Sequence, residues 1–509
     1  MNVGNERTKS IWADTRVAPE AVALGQDIEA DTVVIGSGIA GLSTAYELSE
    51  QGQRVVVLDR GAIATGMTAR TTAHLTSISD DGFDTLITVR GEENARLFYE
   101  SHSASIDRIE AIQKALGVSC NFRRLEGLLF PKIGGKPSDL DPQLDSARQL
   151  RVKVKDDHGL PFKGQENTRY LSYADQATFH PLKYLRGVAQ ALQQNRGQLY
   201  SNTSVTSTEE NEQGVIVATE GGPRVRAKFA VVATNSPISN IVAIHTKEAP
   251  YRTYAMAFSI PRGTLPDQLY WDTADPYHYV RLSPGRGATD YLIVGGADHK
   301  TGEADDGNVR FEGLEAWTRN LVPKLGRETH RWSGQVLEPV DHTAFIGRNP
   351  GSKKVFVVTG DSGQGITHGV VASLIISDLI IKGSNAWSAL YDPSRITPGS
   401  IKTFMSENIT TLKQFAEYLA PGELKSFDEL KPGHGAIVRD GLQKVAAYRD
   451  ENGGLSKCSA KCTHVGCHIH WNSLEMCWDC PCHGSQFAPT GEALNAPAVS
   501  PLEKIRTDT

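Results

Sequence analysis

The stretch Asp31-Thr-Val-Val-Ile-Gly-Ser-Gly-Ile-Ala-Gly41 decides how the first part of the chain folds. Its opening residues are mostly apolar and β-branched, which is typical of a buried strand in a parallel sheet. Three glycines then follow in the order G-x-G-x-x-G, and residues 42–48 place apolar side chains at roughly helical spacing. A second apolar run, residues 54–58, ends at Asp59. This order of strand, glycine loop, helix, strand and acid predicts a dinucleotide-binding βαβ unit.

Each glycine of this loop has a physical task in that interpretation. Gly36 allows the tight turn, Gly38 lets a pyrophosphate approach the backbone, and Gly41 lets the helix pack against the sheet. The helix N-terminus stabilises phosphate charge, and Asp59 can accept hydrogen bonds from ribose hydroxyls. The predicted binding residues of the unit are Gly36, Ser37, Gly38, Ile39, Ala40, Gly41, Asp59 and Arg60. The alternative is a βαβ unit whose glycines form a turn without a ligand.

A second glycine loop lies far along the chain. Residues 355–360 form another apolar run, and Asp361-Ser-Gly-Gln-Gly365 then leads into an apolar segment. This arrangement resembles the flavin-ring end of FAD enzymes, where the positive end of a helix stabilises anionic reduced flavin. The resemblance gives as binding residues Gly360, Gly363, Gln364, Gly365 and Ile366. The alternative is again a simple turn.

Residues 10–385 as a whole resemble the FAD-dependent oxidoreductases of the D-amino-acid oxidase superfamily, which includes glycine and sarcosine oxidases. The resemblance is carried by residues 65–76, 179–186, 332–335, 339–342 and 345–348. The first of these segments resembles the loop that runs beneath the flavin, where we expect Thr71 and Thr72 to contact the cofactor. No cysteine lies near the second glycine loop, and His74 does not match a linkage position. The FAD is therefore predicted to be bound non-covalently.

The resemblance implies an α/β FAD-binding domain of the Rossmann-like, glutathione-reductase type, interrupted by an inserted α+β substrate domain. The FAD-binding pieces are predicted at about 29–80, 165–245 and 333–385, and the substrate pieces at about 81–164 and 246–332. Alternating residues predict strands at 251–260, 279–282 and 291–294, and helical periodicity predicts helices at 92–116 and 181–194.

The cysteines are distributed unevenly. Six of the seven fall between Cys458 and Cys482, which indicates a metal site or a local disulfide. The pattern is C-x-H at residues 462–464, then C-P-C-H at residues 480–483. One cysteine and one histidine from each of two loops suit a [2Fe-2S] centre in which two imidazoles hold one iron. The alternative is a structural zinc site that uses Cys458 or Cys477, although zinc ribbons prefer paired C-x-x-C knuckles.

Residues 431–509 resemble Rieske proteins, whose small all-β domain holds such a cluster. The resemblance assigns as ligands Cys462, His464, Cys480 and His483, and it assigns Cys467 and Cys482 to a disulfide that joins the two loops. Ser485 matches a hydroxyl that donates to cluster sulfur in high-potential members, whereas Phe487 stands where those members often carry tyrosine. We therefore expect an intermediate potential. Residues 386–430, which contain several prolines, are predicted to form a linker with short helices.

A flavin and a one-electron cluster on one chain indicate an electron converter. We expect hydride transfer from the C–N bond of a small amine or amino acid to FAD, then single-electron transfer through the cluster to an external acceptor. Three alternatives stay open: a 2-hydroxy acid or alcohol as substrate, reverse flow from a donor protein for oxygen-dependent chemistry, and an electron-transfer or redox-sensor module without its own substrate. No second strand, G-x-G-x-x-G and helix unit occurs, so the sequence predicts no NAD(P)H domain.

The substrate-contacting residues have the weakest sequence signal. Tyr277, Tyr279 and Arg281 alternate along a predicted strand of the inserted domain and would share one face. Tyr279 could cap a substrate and Arg281 could bind a carboxylate with both nitrogens. The alternative is a solvated strand face.

Composition excludes several function classes. Across 509 residues the formal charge is -6, without the basic excess typical of nucleic-acid binders. The N-terminal 30 residues are polar, and the longest apolar stretch, 369–383, is too short to span a bilayer. We expect a cytoplasmic protein without a membrane span.

Overall fold

A computed structural model describes residues 8–238, 242–398 and 421–505. The opening motif forms the predicted βαβ unit, with β1 at Ile28–Ile35, α1 at Ile39–Glu50 and β2 at Val55–Leu58. β1 and β2 are parallel, with Thr32 opposite Val55. β1 begins three residues before the apolar run because Ile28 and its neighbours pair with a further parallel strand.

The first sheet is built around this unit, in the order β16-β17-β10-β1-β2-β7 with β8 and β9 attached to β10. The additional strands are β7 (Gln198–Tyr200), β8 (Val205–Glu210), β9 (Val215–Thr219), β10 (Arg224–Val232), β16 (Phe345–Arg348) and β17 (Val355–Thr359). Alternate residues face opposite sides: Val34 and Val57 belong to one apolar core, whereas Val33 and Val56 belong to another. The strands read as continuous apolar runs because the parallel sheet is covered on both faces.

The second sheet runs in the order β15-β11-β14-β13-β12-β4-β6-β3, with β5 on β6, and it is mostly antiparallel. Its strands are β3 (His74–Leu75), β4 (Arg123–Phe130), β5 (Val154–His158), β6 (Arg169–Thr178), β11 (Glu248–Pro261), β12 (Leu269–Asp272), β13 (Tyr279–Pro284), β14 (Thr289–Lys300) and β15 (Glu328–Pro339). β6 and β15 lie in this sheet, so the pieces predicted at 165–245 and 333–385 begin inside the inserted domain.

Helices cover the two sheets. Their bounds are α2 (Phe83–Arg90), α3 (Glu92–Ala115), α4 (Asp141–Gln149), α5 (Pro181–Gln194), α6 (Val242–His245), α7 (Gly307–Leu321), α8 (Gly365–Ile381) and α9 (Ser388–Tyr391). α1 packs between α5 and α8, and the predicted helices at 92–116 and 181–194 correspond to α3 and α5. α9 lies in the predicted linker, where Leu390 and Tyr391 are buried. Residues 399–420 of that linker lie outside the described residues, and Phe427–Glu429 near its end form a 3-10 helix.

The C-terminal region is a small all-β domain, as predicted. One antiparallel sheet contains β18 (His434–Asp440), β19 (Gln443–Arg449) and β20 (Leu455–Ser459). The other contains β21 (His470–Asn472), β22 (Cys477–Asp479), β23 (Gln486–Phe487) and β24 (Ala493–Asn495). The cysteines lie in the apolar core of this domain. Within the described ranges, no helix has the length and apolar character needed to cross a bilayer.

Candidate cofactor sites

The first glycine loop has the close contacts that its glycines were predicted to allow. Gly36 has a φ of 101°, and a Cβ there would lie 2.3 Å from the carbonyl oxygen of Ala233. A Cβ on Gly41 would lie 1.9 Å from the carbonyl oxygen of Gly36, so glycine is needed where α1 meets the loop. The residue before α1, Gly38, provides no side-chain cap, and the N–H of Ile39 donates to the Thr68 hydroxyl at 2.9 Å, which leaves the following N–H groups of the first turn for a phosphate.

Asp59 holds this loop and also lines the cavity in front of it. Its carboxylate accepts hydrogen bonds from the backbone N–H of Ser37 at 2.9 Å, from the Ser37 hydroxyl, and from the N–H of Gly61 at 2.9 Å. Arg60 lines the same part of the cavity. Asp59 and Arg60 therefore lie at the end of the cavity where the sequence predicts the ribose of the cofactor.

A single elongated cavity gathers most of the predicted flavin-site residues. Its lining includes Gly36, Ser37, Gly38, Ile39, Ala40, Asp59, Arg60, Thr71, Thr72, Tyr279, Gly360, Gly363, Gly365 and Ile366. Gly41 is not in the lining because it packs α1 against the loop. Gln364 is not in the lining either: its amide donates to the carbonyls of Thr76 and Ile78 and so fixes the second glycine loop.

Tyr279 and Arg281 lie on one strand but have different surroundings. Tyr279 lines the cavity, and its ring lies 5.6 Å from that of Tyr277. Arg281 is 1% exposed, and its Nη1 donates to the carbonyls of Thr72 and Ala73 at 2.9 and 2.7 Å. Burial lowers the pKa of Arg281 to about 9. The guanidinium thus holds the backbone of Thr72 and Ala73, in the loop predicted to run beneath the flavin. This position of the Arg281 side chain does not support the predicted carboxylate clamp.

Several cavity residues were missed by the sequence analysis. They are Met67, Thr68, Arg70, Ala233, Thr234, Asn235, Thr253, Gln335, His368 and, from the C-terminal domain, Leu494, Asn495 and Ala496. Met67, Thr68 and Arg70 belong to the quoted 65–76 segment, so their neighbourhood was predicted although their roles were not. Gln335 ends the 332–335 segment that also carries the resemblance, whereas the remaining residues carry no motif and only the fold brings them to the cavity.

The second site is a pocket in the C-terminal domain. The thiols of Cys462 and Cys480 contact each other; this contact lowers the pKa of Cys462 and raises that of Cys480. The rings of His464 and His483 lie 5.1 Å apart at 82°. The Nδ1 atoms of both histidines are buried and have no hydrogen-bond partner among the residues that the structure describes. Two thiols and two unpartnered imidazole nitrogens thus converge from two loops.

Cys467 and Cys482 form a disulfide that joins the two loops. The sulfur atoms of Cys467, Cys480 and Cys482 lie within 4.8 Å of one another, but the disulfide removes two of them as metal ligands. The Ser485 hydroxyl interacts with the Cys462 thiol and accepts a hydrogen bond from the N–H of Ala498. Cys458 and Cys477 are buried free thiols outside this set.

The C-terminal domain docks on the region formed by residues 8–398, in part on strands β11 and β15 of the second sheet, through buried polar contacts. We call the residues that make these contacts from the C-terminal domain the docking face: Glu475, Asp479, Gly484 and Asn495. Arg252 donates to Asp479 at 2.9 Å, with side chains 1% and 3% exposed. Glu475 accepts from Ser333, Thr8 and Arg70. Gln335 donates to the carbonyl of Gly484 at 2.9 Å and accepts from Asn495 at 2.7 Å.

His245 lies directly against the pocket. Its ring centroid is 4.8 Å from that of His464 and 5.6 Å from that of His483, and its side chain is buried. Glu248, on β11 next to α6, lies 3.8 Å from His245 and accepts a hydrogen bond from Thr359 at 2.8 Å. Burial raises the pKa of Glu248 to about 8. Because Thr359 lines the cavity, these contacts join the two sites.

Carboxyl groups surround the end of the cavity at Tyr279. Asp80 accepts a hydrogen bond from the Tyr277 hydroxyl at 2.8 Å, and a Cβ on Gly363 would lie 2.3 Å from it. Burial raises the pKa of Asp80 to about 8 and that of Asp298 and Asp361 to about 6. His74, packed against Tyr279, is held neutral by burial and by Arg281, with a pKa of about 3.

The residues at both sites fit the cofactors that the motifs predict. The uncapped start of α1 and the glycine backbone suit a pyrophosphate, with Asp59 at one end and the second glycine loop at the other. In the pocket, two thiols and two unpartnered imidazole nitrogens suit two irons with different ligands. FAD would be held by the first set, and a [2Fe-2S] cluster by Cys462, His464, Cys480 and His483.

Comparison with known proteins agrees with this arrangement. A model of the FAD dependent oxidoreductase family matches residues 31–379, and a Rieske [2Fe-2S] domain model matches residues 422–506. YhfW of Bacillus subtilis (strain 168), which carries the name of a Rieske 2Fe-2S iron-sulfur protein, is 29% identical over 100% of this chain and 99% of its own length.

Two further relatives match the first three quarters of the chain. Gamma-glutamylputrescine oxidoreductase of Escherichia coli (strain K12) is 25% identical over 74% of this chain and 89% of its own length. The crystal structure of glycine oxidase from Geobacillus kaustophilus superposes with a TM-score of 0.60 at 17% identity, covering 72% of this chain and 99% of that one. The chain belongs to the FAD dependent oxidoreductase family and carries a Rieske [2Fe-2S] domain at its C-terminal end.

Proposed function

We propose that this protein is a flavin-dependent dehydrogenase that oxidises a C–N bond of a small amine or amino acid and sends the electrons one at a time to its own Rieske cluster, and from there to an external acceptor. One observation carries the proposal. Gln335 lines the FAD cavity and donates to the carbonyl of Gly484, the residue that follows the cluster ligand His483. A single side chain thus bridges the two cofactor sites.

A second set of contacts supports electron transfer between the sites. His245 packs on both ligand imidazoles, and Glu248 beside it is hydrogen-bonded to Thr359 in the cavity wall. The packing leaves no solvent layer around His245, whose side chain is 0% exposed. Since His464 and His483 pack against His245, and Glu248 beside it contacts the cavity wall, a cluster held by these histidines would lie on the side of its domain that faces the cavity.

The surroundings of Tyr279 favour an amine over a 2-hydroxy acid. Burial raises the pKa of Asp80, whose carboxyl is hydrogen-bonded to Tyr277 and not to a cationic partner, and it raises the pKa of Asp298, where the charge of Arg310 partly offsets the effect. A bound ammonium group would supply that partner, whereas a substrate carboxylate would be repelled once they ionise. Arg281, which was predicted to bind a substrate carboxylate, donates to backbone carbonyls instead. The names of two relatives include glycine and γ-glutamylputrescine, which both carry an amino group.

The residues of the chain would bind, orient and deprotonate the substrate. Bound FAD supplies the hydride acceptor. Tyr279 and Thr253 wall the cavity at the end where the carboxyl groups lie. Asp80 lies behind Gly363 of the cavity wall and, with a pKa of about 8, is mostly protonated near neutral pH. The charge of a substrate ammonium nearby would lower that pKa, so that the ionised carboxylate could then accept the proton. His74 is neutral at that pH and adds no charge to the site.

Anaerobic mixing with panels of amines, amino acids and 2-hydroxy acids tests this proposal. We expect flavin bleaching with an amine or amino acid, followed by the EPR signal of a reduced [2Fe-2S] cluster. The matched control is Cys462→Ser, which removes one predicted ligand and should bleach without that signal. Bleaching of the unaltered protein without cluster reduction would refute the electron route. Bleaching by hydroxy acids alone would refute the C–N assignment, and cluster reduction by a donor protein without bleaching by any substrate would favour reverse flow.

A further inference from the structure

One edge of the FAD cavity is formed by the Rieske domain. Leu494, Asn495 and Ala496 line the cavity together with residues of the FAD domain. Leu494 and Asn495 are the last two residues of β24, Ala496 follows the strand, and all three lie beyond the predicted cluster ligands in the sequence. Asn495 is only 7% exposed, so its amide is removed from solvent in the docked arrangement.

The segment is held at two points along the cavity. At one point the carbonyl of Ala493 accepts a hydrogen bond from Arg60 at 3.1 Å, next to Asp59. At the other point the amide of Asn495 donates to Gln335 at 2.7 Å. The segment therefore runs from the predicted ribose end towards the middle of the cavity.

The docking contacts and the cavity wall share residues. Arg70 and Gln335 line the cavity and also contact the Rieske domain, through Glu475 and Gly484 respectively. A ligand bound in the cavity would restrict the motion of these two side chains, and it would therefore also stabilise the docking contacts that they make. Conversely, an undocked Rieske domain would leave the side of the cavity at Leu494–Ala496 open to water.

We propose that residues 493–496 of the Rieske domain are part of the FAD-binding site, so that FAD binding and Rieske docking stabilise each other. Because coupling between two binding events is reciprocal, FAD must strengthen docking by the same factor by which docking strengthens FAD binding. The site for the flavin cofactor is then complete only in the docked protein.

The first test is FAD affinity in the full-length protein with its cluster, measured from the fluorescence of released FAD. Asn495→Ala removes a buried hydrogen bond and leaves the Gln335 oxygen without its partner, which predicts about tenfold weaker FAD binding. The matched control is Ser473→Ala, which removes a solvent-exposed interdomain hydrogen bond to Asp305 outside the cavity. We expect less than a twofold change there. Equal effects of the two variants, or no effect of Asn495→Ala, would overturn the proposal.

The second test measures the reciprocal effect without any substitution. Amide hydrogen exchange in β24 and in residues 473–479 should slow at least tenfold when FAD is added to FAD-stripped protein that retains its cluster. The β18–β19 hairpin, which lies away from the cavity, should exchange equally in both forms. Unchanged exchange in β24 would overturn the coupling. Neither test depends on a substrate, so failure of the proposed dehydrogenase activity would leave this inference separately testable.

Discussion

The cluster pocket and the docking face lie in the same small domain but are built in opposite ways. The pocket takes its predicted ligands from two short loops between residues 462 and 483. The apolar residues packed around these loops come from the same domain, and His245 of α6 lies against the two histidines. The docking face is polar and ionic, and its partners are remote in sequence: Arg252 and Asp479 are 227 residues apart, and Arg70 and Glu475 are 405 apart. Spacing within a short segment defines the first region, whereas only the complete fold defines the second.

The difference matters because the two regions control different properties. Ligand type and hydrogen bonds in the pocket set the potential of a cluster. The docking face sets how the pocket lies relative to the cavity, since its residues Gly484 and Glu475 contact Gln335 and Arg70 of the cavity wall. A change in the docking face should therefore affect domain association strongly, and a change in the pocket should affect the potential with little effect on association.

Arg252→Ala should have the largest effect. Burial alone would lower the pKa of Arg252, but Asp479 and Glu475 raise it above its usual value, so the pair is ionised. Removing the arginine leaves the Asp479 carboxylate buried without its cation, which is expected to cost about 3–5 kcal/mol. The measurement is the free energy of unfolding by urea, together with protease release of the Rieske domain.

The control for this prediction is Arg96→Ala on α3. Arg96 pairs with Glu100 at the surface, with side chains 48% and 43% exposed, and its removal should cost no more than about 0.5 kcal/mol. A cost below about 1 kcal/mol for Arg252→Ala would mean that the docking face contributes little to stability. The docking face would then not control domain association as stated above.

The next variant, Glu248→Gln, changes the buried carboxyl group that lies between His245 at the pocket and Thr359 in the cavity wall. The folded-state pKa of Glu248, about 8, lies above the ordinary 4.5, so the folded protein favours the protonated carboxyl. As pH rises from 5 to 8 the unfolded chain loses this proton first, and stability falls by roughly 3 kcal/mol. The glutamine variant can still accept the Thr359 hydrogen bond and should lack this part of the pH dependence.

Urea midpoints measured between pH 5 and pH 8 check the sign and the size of this effect. Glu100→Gln, at an exposed position on α3, is the matched control and should follow the unaltered protein. Parallel curves for Glu248→Gln and the unaltered protein would show that Glu248 does not titrate in this way.

Much of the fold could be predicted because its signals are local. The glycine loop with Asp59, the helices α3 and α5, and the small all-β domain all follow from periodicity or from a spaced motif. The boundaries of the FAD-binding pieces could not be predicted in this way. The sequences of β6 and β15 indicate strands but do not indicate which sheet the strands join. Only their pairing with β4 and β11 assigns them to the inserted domain.

The same distinction between local signals and contacts that depend on the complete fold applies to the predicted site residues. Alternation correctly places Tyr279 and Arg281 on one strand, but it does not say what each side chain meets. Arg281 is taken by the carbonyls of Thr72 and Ala73, which come from a loop some 200 residues earlier. Gln335 belongs to a segment that carries the family resemblance, but its bridging position depends on Gly484, which lies 149 residues later in the chain.

Phe487→Tyr should have the smallest energetic effect and should act on the pocket alone. Phe487 is fully buried in the same apolar cluster as Cys462 and Cys480. A tyrosine hydroxyl there could donate to cluster sulfur and stabilise the reduced state by about 1 kcal/mol, which raises a one-electron potential by roughly 40 mV. Redox titration followed by EPR measures this shift.

Phe427→Tyr provides the matched control, because Phe427 packs in a separate apolar cluster of the same domain. It should leave the potential unchanged, whereas Ser485→Ala should lower it by removing the hydroxyl beside Cys462. FAD affinity should not change in Phe487→Tyr, since the residue lies outside the cavity lining. A shift in FAD affinity without a shift in potential would mean that the pocket and the docking face do not act independently, and the comparison would have to be abandoned.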